Sequence, residues 1–269
     1  MKPSRNEIAD KSWNPITGCK YNCPYCKAKK IALYFSGDVR LNMASPQCEH
    51  TESGCTILES KFVSSSGSTL SHPFRFRPTY HRYRLSHPKE TKNGYNVLVG
   101  DMGEIFGEWI PDEWIKEIMD ACIEGYWNNY LFLTKNPKRY LELDGKGILP
   151  DGENFWYGVT ITKPDDPIVE LAGKNVWLNF EPLRGGFGTE LELYGAAWVV
   201  IGADELKWKG NIKPRKKWIV EIAQKATLAG IPVFMKENLR GIVGDSEMRK
   251  ELPEKLINKY VKELSLIHI

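Results

Sequence analysis

From Asn93 to Met235 the chain alternates short apolar runs with stretches of helical periodicity, and this rhythm most narrows the folds open to it. The spacing predicts strands over 95–99, 130–133, 155–161, 176–180, 198–201 and 231–235. It predicts helices over 111–124, 137–143 and 218–228. The strand runs are apolar throughout rather than alternating, which suits burial on both faces of a parallel sheet. Repeated βα units imply an α/β fold, either a partial or complete (β/α) TIM-like barrel or an open sheet. Trp114, Ile115, Ile118, Met119 and Cys122 recur at helical spacing, so Cys122 is expected in the core. The 269 residues are enough for one large α/β domain, expected over 1–263.

Two stretches break the rhythm. Residues 36–92 are rich in Ser, Gly, His and Arg and show little periodicity. They read as a long irregular insertion after the first helix, of the kind that forms lids and binding loops. The last six residues, LSLIHI, read as one translation frame of a sequencing adapter and are expected to be an artefact.

Charge and hydropathy exclude some classes. No run reaches the roughly eighteen apolar residues of a membrane span. The first eleven residues lack the apolar core of a secretory signal, so a cytoplasmic protein is expected. A net charge of +3 is too mild to argue for nucleic acid by itself.

Three of the six cysteines, Cys19, Cys23 and Cys26, fall in one C-x3-C-x2-C motif, with Tyr25 before the last. In a reducing compartment such clustering points to a metal rather than to disulfides. Thiolates suit iron–sulfur clusters and zinc. Three ligands leave one iron of a four-iron cubane open, whereas structural zinc closes its shell with four. A zinc site would recruit Cys48, His50 or Cys55 as the fourth ligand.

The spacing and the aromatic residue resemble the radical S-adenosylmethionine (SAM) superfamily. Further segments run in order along the chain: SWNPITGC (12–19), RPTYHRYRL (77–85), NVLVGDMGEIFGEWIPDEW (96–114), LTKNPKR (133–139), WYGVT (156–160), LNFEPL (178–183), WVVIG (198–202) and IPVFMK (231–236). In these the chain resembles a phage-associated radical-SAM-like family of unknown function, named after two phage gene products. The resemblance implies a barrel of radical SAM type. It implies a [4Fe–4S] cluster on Cys19, Cys23 and Cys26, with S-adenosylmethionine on the open iron. Electron transfer would cleave the cofactor to a 5′-deoxyadenosyl radical that removes hydrogen from a substrate. A reductase or flavodoxin-type donor is implied as partner, and Tyr25 is implied to contact the adenine region.

Barrel sites lie at the C-terminal ends of strands. Gly100, Asp101, Gly103 and Glu104 end the strand where the superfamily carries a Gly-Gly-Glu-like motif for the cofactor's amino group. Thr160, Asn179 and Glu181 end later strands and are expected to line the same cavity. Lys135 and Lys236 are expected to bind an anion or pair with neighbouring acids. Arg75, Arg77, Arg82 and Arg84, interleaved with aromatic residues, suit phosphates and stacked bases and suggest nucleic acid as substrate or partner. A second basic cluster lies at 213–217. The alternative function is a non-catalytic zinc or iron–sulfur nucleic-acid-binding protein.

Overall fold

The computed structural model describes residues 1–204, 206 and 210–256; the LSLIHI string lies outside them. The chain opens with strands β1 (Lys2–Pro3), β2 (Lys11–Trp13) and β3 (Ile16–Thr17), then helices α1 (Lys27–Tyr34) and α2 (Val39–Met43). Next come β4 (Glu49–His50), β5 (Thr56–Leu58), β6 (Thr79–His81) and α3 (His87–Glu90). The βα alternation follows: β7 (Asn96–Val99), α4 (Asp112–Glu124), β8 (Asn129–Thr134), α5 (Lys138–Gly145), β9 (Phe155–Thr160) and β10 (Asn175–Phe180). It closes with β11 (Trp198–Ile201), α6 (Lys216–Leu228), β12 (Val233–Met235) and α7 (Arg240–Val243).

The main sheet has eight strands in the order β1-β2-β7-β8-β9-β10-β11-β12. Only β1–β2 is antiparallel; every other neighbouring pair is parallel. From β7 onward the strands follow chain order without reversal. One face packs on α4 and α6, which contribute buried side chains such as Ile115, Ile118, Ile219 and Ile222 to the larger core. Asp112 and Glu113 in the first turn of α4 complement the helix dipole. Among the described residues the links from β9 to β10 and from β10 to β11 contain no α-helix.

The other face carries Leu98, Leu131, Trp156, Trp177, Trp198, Val200 and Phe234, one or two from each strand from β7 to β12. Ile8 and Leu256 complete that cluster, and among the described residues no α-helix contributes to it. Its members are thus the sheet's own strand residues together with Ile8 and Leu256. Gly158 allows the crowding, since a Cβ there would come within 2.3 Å of the Trp177 ring. The Trp indoles lie in the first half of their strands, and the Leu256 carbonyl accepts from Asn96 Nδ2 at 2.7 Å at that same end. The indoles are thus toward the N-terminal end of the strands, while polar side chains such as Thr134, Thr160 and Asn179 lie toward their C-terminal ends. Across the open edge, the Glu7 carboxylate accepts from the Glu237 backbone N–H and pairs with Lys250 at 2.5 Å.

The stretch 36–92 is more ordered than its sequence suggested. It supplies β4, β5 and β6, which join β3 in a second sheet ordered β3-β6-β5-β4. Leu58, Phe62 and Phe74 form its own small core. Strands of two or three residues are too short to display a period, which is why the sequence read as irregular. Tyr80 stacks on Trp114 and donates to Glu117 at 2.6 Å, tying this sheet to α4. No helix among the described residues is long and apolar enough to cross a membrane.

Candidate functional site at the strand ends

The cysteine loop leaves β3 through a gap that only glycine fits. Gly18 has φ +86°, and a Cβ there would sit 2.2 Å from the Arg77 carbonyl oxygen. On its other side Gly18 bridges to Gly103, donates to the Met102 carbonyl and accepts from the Glu104 N–H. A Cβ on Gly103 would meet Ile16, Thr17 and Gly18 backbone within 3.0 Å. Two backbones in near contact require glycine at both positions. Cys19 follows, its N–H donating to Phe76 O at 3.1 Å. The first thiol is therefore pinned between the end of β7 and the small sheet.

Cys26 closes the loop as the N-cap of α1, its thiol accepting from the Lys29 N–H at 3.3 Å. Tyr25 is hydrogen-bonded to Cys23. Two cations bear on the Tyr25 ring: Lys135 Nζ at 5.2 Å from its centroid and the Arg184 guanidinium at 5.5 Å. Lys135 directly follows β8 and Arg184 lies shortly after β10, so the loop spans the C-terminal ends of those strands. Arg184 escaped the sequence reading because nothing in the segment around Pro182 and Gly185 marks it; only the tertiary contact does.

Burial pushes the Cys19 thiol up to about 12, with Glu104, Cys23 and Cys26 adding to the rise. Burial also raises Cys26, while the Lys29 N–H and Lys135 pull it down. Metal binding at these positions must displace protons, and the neighbouring cations favour that exchange. Among the described residues no group of three or more His, Cys, Asp or Glu side chains converges on a single ion. A four-iron cubane makes a different demand, because each thiolate ligates its own iron. Cys19 feels the charge of both Cys23 and Cys26, and Cys26 that of Cys23.

Glu104 sits beneath the loop, 5% exposed. Its carboxylate accepts from the Phe106 N–H, the Thr134 hydroxyl at 2.8 Å and the Lys135 N–H. Burial raises its pKa and these donors oppose the rise. It buckles the ends of β7 and β8 together and so fixes Lys135. Asp101 accepts from Ser12 and Asn14, joining β2 to β7. Gly100 has φ +80° and turns the chain out of β7.

Farther round, Asn179 and Thr160 are register partners on β10 and β9. The Asn179 amide oxygen is buried without a partner. Glu181 pairs with Lys236 at 2.5 Å. Asn179 and Trp177 alternate along β10 and so share the face that carries the indoles. That face thus turns from indole to amide toward the C-terminal end of the strand, with the Glu181–Lys236 pair just beyond.

The basic stretch divides in two. Arg82 pairs with Glu59 and Glu117. Arg84 donates to the Asn14 carbonyl and packs on Tyr83. Arg75 and Arg77 are exposed. They line a cleft of about 530 Å³ with Cys19, Lys20 and Lys29. In the second basic cluster, Lys216 pairs with Glu247, Lys217 with Glu221, and Arg215 packs on Trp218. The proposed zinc ligands have other partners: Cys55 is buried with its thiol on Trp109 O, and Cys48 contacts Ser45 O and His50.

Neither the curated proteins nor the solved structures contain a match to the chain. Residues 4–256 match the family described as "Protein of unknown function (DUF5131)", and the chain belongs to that family.

Proposed function

We propose that this member of a family of unknown function is a radical S-adenosylmethionine enzyme. Cys19, Cys23 and Cys26 would hold a [4Fe–4S] cluster over the mouth of a partial (β/α) barrel. One observation carries the reading: the three-cysteine loop lies at the C-terminal ends of parallel strands of the main sheet, braced at Tyr25 by Lys135 after β8 and Arg184 after β10. When bound, such a cluster supplies the electron that cleaves S-adenosylmethionine homolytically.

The chain's own residues divide the remaining work. Gly18 and Gly103 fix the loop's root. Glu104 holds Lys135 in place through its backbone. The unpartnered amide oxygen of Asn179 offers an acceptor to a bound amine or hydroxyl, with Thr160 beside it. Glu181 and Lys236 offer one charge of each sign to a zwitterion such as the methionyl group. The indoles below exclude water from that end. Exposed Arg75 and Arg77, with Lys20 and Lys29, favour an anionic substrate beside Cys19, a nucleobase carrying phosphate or a nucleic acid. The cytoplasm, with a flavodoxin-type or reductase donor, is the compartment such chemistry needs.

The test is electron paramagnetic resonance on anaerobically reconstituted, dithionite-reduced protein, with and without S-adenosylmethionine. The expected result is a [4Fe–4S]⁺ signal whose shape changes when the cofactor is added. A cluster indifferent to the cofactor, or zinc in its place, would transfer support to a non-catalytic binding protein.

A further inference from the structure

A second cavity, of about 590 Å³, lies between the small sheet and the start of the chain. It shares no lining residue with the cleft beside Cys19. Its charged lining is basic: Lys2, Lys61 and Arg84, with His72 and His87. No Asp or Glu lines it.

Arg84 is the centre of the argument. Trp13 Nε1 donates to its carbonyl at 3.0 Å, its Nη1 donates to Asn14 O at 2.7 Å, and its Nε donates to the Tyr83 hydroxyl at 3.2 Å. The guanidinium also packs on the Tyr83 ring, 5.4 Å from its centroid. It is thus held rigidly by neutral groups, and among the described residues no carboxylate forms an ion pair with it. Asp101, which follows β7, accepts from Ser12 and Asn14. A partly buried guanidinium cannot shed its proton, so an unmatched one calls for an anion. His72 adds an independent sign. It is only 9% exposed, and its Nδ1 is buried with no partner. A buried ring nitrogen left unsatisfied is unfavourable unless a ligand or water completes it.

We infer that this cavity binds a small phosphate monoester, its phosphoryl group received by Arg84 and Lys61, with His72 in the cavity wall. The guanidinium fork matches phosphate oxygens two at a time. Several cations around one space favour a dianion over a carboxylate. The volume falls in the range of small-ligand pockets, which leaves room for a body beyond the phosphate. The inference stands apart from the cluster chemistry, since neither the cysteines nor the residues braced against Tyr25 line the cavity.

The test is isothermal titration of the whole protein with inorganic phosphate and then with a nucleoside monophosphate, at ionic strength held constant with chloride. Saturable binding of both is expected. Lys61 is exposed and has no role in the core, so Lys61→Ala should keep the native circular dichroism and weaken phosphate binding by about fivefold, the scale of one charge-assisted contact. Arg84→Lys keeps the charge but loses the fork and should weaken it at least as much. Should Arg84→Lys fail to fold, Lys61→Ala and His72→Asn decide the matter. Absence of saturable binding, or equal affinity in folded Lys61→Ala and His72→Asn, would overturn the inference. So would binding of a 5′-phosphorylated oligonucleotide with none of the small monoester.

Discussion

The Glu181 carboxylate meets the Lys236 ammonium at 2.5 Å in a space that exists because residue 202, between them in the sheet, is glycine. A Cβ on Gly202 would stand 2.7 Å from Glu181 Oε1. The pair is largely shielded, with the Lys236 side chain 10% and the Glu181 side chain 22% exposed. Removing one member strands a charge in a site of low polarisability. Lys236→Met should therefore destabilise the fold by roughly 3 kcal/mol. Adding Glu181→Leu should recover part of that loss. Urea denaturation of the two single variants and the double variant measures the coupling.

Gly18→Ala should be more disruptive than any exposed substitution in the loop. It brings both a strained backbone and a clash with the Arg77 carbonyl, and neither can relax without moving Cys19. Reconstituted Gly18→Ala is expected to bind much less iron and sulfide than the parent. Gly54→Ala, where a Cβ meets nothing within 4 Å, controls for positive φ alone. Equal iron content in the two variants would refute the role assigned to Gly18.

Lys135 acts on Cys26 and on the Tyr25 ring from one side chain. A cation beside a thiolate-bound cluster stabilises its reduced form. Lys135→Met should leave iron content unchanged and shift the midpoint potential to more negative values. A redox titration followed by paramagnetic resonance reads this directly. An unchanged potential with full iron loading would remove Lys135 from the site.

The alternative zinc site makes an opposite demand on Cys48 and Cys55. The Cys48 thiol already contacts the Ser45 carbonyl and the Cys55 thiol the Trp109 carbonyl. Cys48→Ser combined with Cys55→Ala is expected to retain full iron binding. Metal analysis of the double variant, and of the same variant carrying His50→Ala, separates the two readings, because a zinc shell closed by any of the three could not survive the triple substitution.

Acid should weaken the small sheet first. Burial, aided by Arg84 and Lys2, holds His72 down to about 4, and burial holds His81 well below its ordinary value. In the unfolded chain both protonate near 6.5. Between those values the unfolded state binds more protons, so stability falls as pH drops from about 6.5 toward 4. For His72 alone the loss reaches roughly 3 kcal/mol at the lower end. Melting temperatures across that window, compared with His72→Asn, test it. A variant whose pH dependence matches the parent's would contradict the assignment. Saturating phosphate should reduce the acid sensitivity, because a bound anion stabilises the protonated ring.

Much of this architecture was legible in the chain. The six strand predictions from residue 95 onward all correspond to observed strands, and the three helices to α4, α5 and α6. Apolar runs of four to six residues flanked by glycine and proline leave few alternatives when buried on both faces. Cys122 is buried in α4 as its spacing predicted. The three clustered cysteines were equally visible because their spacing is a local property. The small sheet was not visible, since its strands pair residues far apart in sequence and each is too short to carry a period.

The residues around the cysteine loop divide along the same line. Sequence by itself determined the α/β repeat, the three clustered thiols and the polar residues at the strand ends, because each depends on neighbours within a few positions. Only the tertiary structure decided which of those residues meet. It set Lys135 and Arg184 on Tyr25, closed Glu104 beneath the loop and paired Glu181 with Lys236. It also divided one arginine-rich stretch between a surface ion pair at Arg82, a partly buried cation held by neutral groups at Arg84 and an open cleft at Arg75 and Arg77. Charge and burial at those positions are properties of the packed environment, and no spacing along the chain encodes them.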